Sequence, residues 1–133
     1  MPYSKKIQKF YQNLGKLFYA IAAIDNTIRE EEVQMLKNII KDKWIPLDDF
    51  TDTHGTDSAY QIEIVFDWLE EQQLEASTCF DAFKEFKKEH ESLFPLPVKD
   101  LIWKTADAIA SSFAGKNKAE VIVLAKLKLL LKE

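Results

Sequence analysis

Ile7, Phe10, Tyr11, Leu14, Leu17, Phe18, Ile21 and Ile24 recur at three- and four-residue spacing through the first part of the chain. Side chains so spaced share one side of an α-helix, so the stripe marks a helix of about five turns with a broad core-seeking face. A chain that opens with such a stripe must supply other apolar faces to cover it. Tight-turned β architectures are poor candidates, because only 3 glycines and 4 prolines occur in 133 residues, against roughly 12% in average proteins. Sandwiches and barrels use both residues in their many turns. The expected fold is all-α: about six to seven helices arranged as three helical hairpins, in a single domain spanning residues 1–133.

The first stripe breaks at Asp25-Asn26-Thr27 and resumes as Ile28, Val33, Leu36, Ile39 and Ile40. It should end near Trp44, because Pro46 disfavours helix at Ile45. Residues 45–57 read as loop, with room for one helical turn at 47–51. The next segment is ambiguous: Tyr60, Ile62, Ile64 and Phe66 alternate as in a half-buried strand. Trp68, Leu69 and the helix-forming Glu70-Glu71-Gln72-Gln73 carry it beyond strand length, so a helix from Ser58 to about Gln73 is expected.

A fourth helix starts near Ser77, with Phe80, Phe83 and Phe86 inward and Lys84, Lys87, Lys88 and Glu91 outward. Pro95 and Pro97 end it and open a fifth, whose stripe is Val98, Leu101, Ile102, Thr105, Ala106, Ile109 and Ala110. The last helix follows Gly115-Lys116-Asn117 and is apolar almost all round, which suits the centre of a core or a face covered by a partner.

A shift of 88 residues lays Ala20-Ile21-Ala22, Glu32-Val33 and Leu36 on Ala108-Ile109-Ala110, Glu120-Val121 and Leu124. These are six identities in the 17 positions from 20 to 36, where about one is expected at average composition. The first and last hairpins therefore read as a pseudo-repeat. In the second copy, Asn117 and Glu120 stand at capping-box spacing.

The run from Ala20 through Ile24-Asp25-Asn26-Thr27-Ile28 to Glu32, Val33 and Leu36 resembles the signature of TerB-like domains. That family includes the tellurite-resistance protein TerB and the N-terminal region of the co-chaperone DjlA. The resemblance implies an all-helical domain with a second copy of the hairpin near its C-terminus, and a role linked to stress or tellurite resistance. Asn26 occupies the family's glycine position, and Asn tolerates left-handed backbone at a helix end. Arg29 replaces the family's capping residue and cannot cap, so Thr27, three before Glu30, is placed to take over. Ile28 should drop into the crevice between the two helices. Phe113 and Ala114 replace the acidic loop of the second copy.

Charge and chemistry narrow the function. Net charge is −4, and Arg29 is the only arginine among the 18 cations, so nucleic acid is not the expected partner. No stretch approaches 18 consecutive apolar residues, which excludes a membrane span. The N-terminus lacks a signal peptide's apolar core, and Cys79 is the only cysteine, so a cytoplasmic location is expected. Cys79 and His90 lie roughly 16 Å apart along a helix, too far to share a metal. No nucleophile–base pair, phosphate loop or zinc motif occurs, so the chain reads as non-enzymatic, with no required cofactor. Cys79 reads as a buried structural thiol, and Trp44, Trp68 and Trp103 as core or hinge packing.

Two acidic groups are candidate sites. Asp25, Asn26, Glu30, Glu31 and Glu32 form an acidic hairpin, read either as an anionic interaction site or as a turn with dipole-satisfying glutamates. An EF-hand is excluded, because Leu36 falls where a bidentate Glu is needed. Asp48, Asp49, Asp52, His54 and Asp57 offer oxygen-rich ligation of Ca2+, Mg2+ or Mn2+, or simply a solvated loop. The leading expectation is a helical interaction module with a protein partner, with divalent-metal binding by the acidic loop or by Asp25 and Glu32 as the alternative. Self-association through Leu127, Leu130 and Leu131 of the C-terminal helix is a further expectation.

Overall fold

The computed structural model describes residues 2–25, 27–45, 59–112 and 117–132. Among them are six α-helices and no strand: α1 (Pro2–Ala23), α2 (Glu30–Ile39), α3 (Tyr60–Gln72), α4 (Ala76–Glu89), α5 (Leu96–Ser111) and α6 (Lys118–Lys132). The segment from Ser58 to about Gln73, expected as helix despite its strand-like alternation, is α3. The alternation of Tyr60, Ile62, Ile64 and Phe66 comes from two apolar stripes interleaved on opposite sides of one helix. Ile62, Phe66 and Leu69 are buried, whereas Tyr60, Ile64 and Trp68 face outward.

The central element is α1, not the last helix. Leu14, Leu17, Phe18, Ala20, Ile21 and Ala22 are each 0% exposed. The most extensive packing in the molecule is that of α1 with α3 and with α4, and α5 also lies against it. Chain neighbours touch less: α1 with α2 and α5 with α6 make only small contacts, and α2 leans chiefly on α5. The packing is thus organised by a shared helix rather than by sequential pairs. α6 buries Val123, Leu124, Leu127, Leu130 and Leu131 and leaves Val121, Ile122 and Leu129 outside.

Gly15 sets the α1–α3 approach. A Cβ built there would sit 2.8 Å from the Ile62 carbonyl oxygen and 2.9 Å from the Val65 Cβ. The absence of a side chain lets two helix backbones come together, which explains a glycine inside an otherwise unbroken stripe.

Aromatic side chains fill the space around α1. Phe10 meets Phe94 edge-on at 5.4 Å, and Tyr19 meets Phe66 at 6.0 Å. Trp44 lies against Tyr11 and Phe18. It is carried there by a π-helical turn, Ile40–Trp44, that continues α2. Its indole N–H donates to the Thr105 hydroxyl at 3.0 Å, and that hydroxyl donates to the Leu101 carbonyl at 2.7 Å, so the buried polar atoms are satisfied. The wider π turn replaces the plain α-helical end expected before Pro46.

Lys87 departs from its expected outward position: it is buried, its Nζ 2.8 Å from Glu91 Oε1 and 6.0 Å from the centre of the Phe94 ring. The alkyl stem packs in the aromatic layer, and the ammonium is neutralised at the edge. Thr27 does not cap α2, whose N-cap position is Arg29.

The Gly15 crossing makes a direct prediction. Ala in place of Gly improves helix propensity by about 1 kcal/mol, but a rigid carbonyl and a core side chain already occupy the space of the new methyl. Overpacking of about 1–3 kcal/mol outweighs the gain. Urea denaturation of Gly15→Ala is expected to show a lower midpoint, and a raised midpoint would refute the close crossing.

Candidate functional site

The acidic hairpin meets the start of the last helix. α1 ends at Ala23, and the Asp25 side chain folds back over the turn, its Oδ1 accepting from the Thr27 amide at 3.1 Å. Asp25 Oδ2 accepts from Arg29 at 3.2 Å and from Asn117 Nδ2 at 2.8 Å. The Asn117 contact joins residues 92 apart in sequence. Asp25 thus ties the first hairpin to the N-terminus of α6.

Both helices that start here are held by a glutamate at their third position. In α2 the Arg29 amide donates to Glu32 Oε1 at 2.8 Å, while the Glu32 amide donates to the Arg29 carbonyl. At α6 the pair is a full capping box: the Asn117 amide donates to Glu120 Oε1 and the Glu120 amide to Asn117 Oδ1, both at 2.9 Å. Arg29 and Asn117, like Glu32 and Glu120, are the residues that the 88-residue shift superimposes. The spacing in the sequence was sufficient to expect the second cap.

Glu32 and Glu120 are buried, whereas Glu30 and Glu31 point to solvent. Burial drives the Glu32 carboxyl up to about 7. The Arg29 amide opposes that shift, the Glu120 and Asp25 carboxylates add to it, and the Arg29 charge again opposes it. The acidic hairpin is therefore two different things. Glu30 and Glu31 are a solvated helix start, and Glu32 is a buried group that titrates near neutrality. Asn26 lies outside the described residues.

The expected metal loop, Asp48, Asp49, Asp52, His54 and Asp57, also lies outside the described residues, as does the helical turn at 47–51. Among the described residues, no three His, Cys, Asp or Glu side chains are placed to hold one metal ion. At the hairpin, both Asp25 oxygens and one oxygen each of Glu32 and Glu120 accept hydrogen bonds from the chain. Cys79 is buried and its thiol is pushed up, chiefly by burial. His90 lies on the Phe86 ring, centroids 4.5 Å apart.

Beside the hairpin is an open cleft of about 630 Å3, lined by Tyr19, Ile24, Ile28, Leu74, Glu70 and Glu75. Ile28, expected in the crevice between α1 and α2, packs on the core edge and forms one wall. The Tyr19 hydroxyl donates to the Leu74 carbonyl at 2.7 Å and anchors the α3–α4 turn at the rim. Gln73 takes the left-handed conformation that ends α3.

The more conspicuous surface is on α3. Tyr60, Ile64 and Trp68 are 44%, 57% and 54% exposed, four residues apart on the outer side of one helix. Trp68 was expected as packing, which holds for Trp44 and for the half-buried Trp103, but not here. A second outward row lies on α6, at Val121, Ile122 and Leu129. Leu127, Leu130 and Leu131, expected to mediate self-association, are core residues. The four-residue spacing of 60, 64 and 68 was the available signal for the α3 surface, masked by the inward stripe interleaved with it.

Comparison with family models, with curated proteins and with solved structures finds no match. No helix among the described residues is long and apolar enough to cross a membrane.

The Glu32 environment gives a pH signature. Its folded pKa of about 7 lies above the ordinary 4.5. Between those values the folded state holds a proton that the unfolded state has lost, so this group's contribution to stability falls as pH rises. The slope is at most about 1.4 kcal/mol per pH unit, and the contribution is constant above the folded pKa. Glu32→Gln keeps the oxygen that accepts from Arg29 and cannot ionise. The stability of the variant relative to wild type, from denaturant titrations, is expected to climb between pH 5 and 7 and then level off. A difference independent of pH would contradict the buried, proton-holding Glu32.

Proposed function

We propose that this chain is a non-enzymatic, cytoplasmic helical interaction module of the TerB-like kind, working in a stress-response setting and docking a protein partner on the outer face of α3. The single observation that carries the docking is the row Tyr60, Ile64 and Trp68. Three large apolar side chains on one helix face are costly to leave in water, and such rows mark interaction sites. Tyr and Trp are also the residue types enriched at the energetic centres of interfaces. The likeness to TerB-like domains is supported by the residues 88 apart that hold equivalent places at the starts of α2 and α6. The Asp25–Asn117 bond ties those two starts together and belongs to the scaffold that presents the α3 face.

Site-specific photo-crosslinking tests the reading. With a photoreactive residue in place of Ile64, irradiation of cells expressing the protein is expected to give one discrete adduct. The same residue placed at Glu85, on the exposed side of α4, is expected to give none. An absence of adduct from position 64 would refute docking at this face.

A further inference from the structure

The outer faces of α3 and α6 complement each other in charge. All four charged residues of α3 are acidic: Glu63, Asp67, Glu70 and Glu71. Asp67 and Glu71 fall within the apolar row itself, because residues 60, 64, 67, 68 and 71 share one helix face. Glu63 is partly engaged by Lys37 across 3.6 Å, which leaves Asp67 and Glu71 as the acids of the exposed row.

α6 has the opposite character. Its charged residues are Lys118, Lys126, Lys128 and Lys132, all exposed, and Glu120, which is buried in the capping box. Ile122, Ala125 and Leu129 run down the middle of the outer face, with Lys118 and Lys132 at the two ends and Lys126 and Lys128 on the flanks. Val121 to Leu129 and Tyr60 to Trp68 each cover nine residues, about 12 Å of helix from first to last. Ala125 leaves a shallow place between Ile122 and Leu129, where a bulky side chain of an opposing helix finds room.

The two faces cannot meet within one chain. α3 is held to α1 by Ile62, Phe66 and Leu69, and α6 is held to the core by Val123, Leu127 and Leu130.

We propose that the partner of the α3 face is a second copy of this chain, which lays the outer face of its α6 there. The proposal rests on the reading of α3 as a docking surface and names the occupant. The apolar rows pack together, and lysines of one copy face Asp67 and Glu71 of the other. A lysine ammonium over Trp68 adds a cation–π contact. Each copy uses one face and offers the other, so the contact is head-to-tail and builds a ring or an open chain.

Sedimentation velocity from micromolar to millimolar protein tests it, at ~0.01 M and ~1 M salt, where the Debye length falls from about 30 to about 3 Å. Wild type is expected to associate with rising concentration, and high salt to weaken that association. Asp67→Lys with Glu71→Lys, and Lys126→Glu with Lys132→Glu, alter only exposed positions. Each pair is expected to keep the helical circular dichroism of wild type and to weaken association about tenfold or more. Mixing the two variants restores it, because each then carries the charge that the other needs.

Wild type that stays monomeric at millimolar concentration and low salt would overturn the proposal. So would association indifferent to either charge reversal, or a mixture that stays apart. The adduct from position 64 separates the two readings. Adducts at whole-number multiples of the chain's mass, two and upward, support self-docking. An adduct at any other mass overturns self-docking while the α3 face stands as a docking surface, and no adduct overturns both.

Discussion

Burial of α1 is the constraint on which the rest of this molecule depends. Its residues 17–23 are buried without interruption, so helices must cover it from several sides. α3, α4 and α5 do so, and their own inward stripes follow from that duty. Burying large apolar side chains contributes roughly 1.5–3 kcal/mol apiece. Gly15 lets the α3 backbone come close, and the small Ala20, Ala22 and Ala23 are buried in the same helix. A sheet would have covered one side of such a helix only, whereas helices arranged around it close the core.

Much of this was legible in the sequence. The helix stripes, the break at Asp25, the helix openings near Ser77 and at Pro95 and Pro97, and the cap at Asn117 and Glu120 all follow from spacing and capping chemistry. What was not legible is long-range arrangement. An amphipathic stripe says that a face is buried but not against what, so three sequential hairpins and a shared central helix look alike in sequence. The same limit explains α6: a helix apolar on nearly every side does not reveal which side the core takes. Leu127, Leu130 and Leu131 went inward and Leu129 outward because α5 and α1 lie on one flank. Lys87 was read as solvated, because nothing local announces that it will be buried beside the ring of Phe94.

The candidate site was legible in part. The acidic residues of the first hairpin stand out in sequence, yet their roles diverge with burial. Glu30 and Glu31 are surface charges, Glu32 is a buried cap, and Asp25 is a tie to Asn117, a residue far away in the chain. A carboxylate that accepts hydrogen bonds from the backbone at a helix start is a structural element first. The apolar surface on α3 went unread for a different reason. Two stripes on opposite faces of one helix produce a two-residue alternation, which imitates a strand. Separating them requires knowing which face the core has taken, and that is decided by Gly15 and Tyr19 on α1.

The arrangement around α1 also orders local stability. Amides in the best-covered element open only with the whole fold, whereas those in peripheral elements open through smaller fluctuations. Native-state hydrogen exchange, read residue by residue, tests the central claim most directly. The account predicts that the amides of residues 14–22 in α1 exchange slowest, at the free energy of global unfolding, while those of α2 and of the outer side of α6 exchange by local opening. Slowest exchange in α6, with α1 opening first, would contradict it.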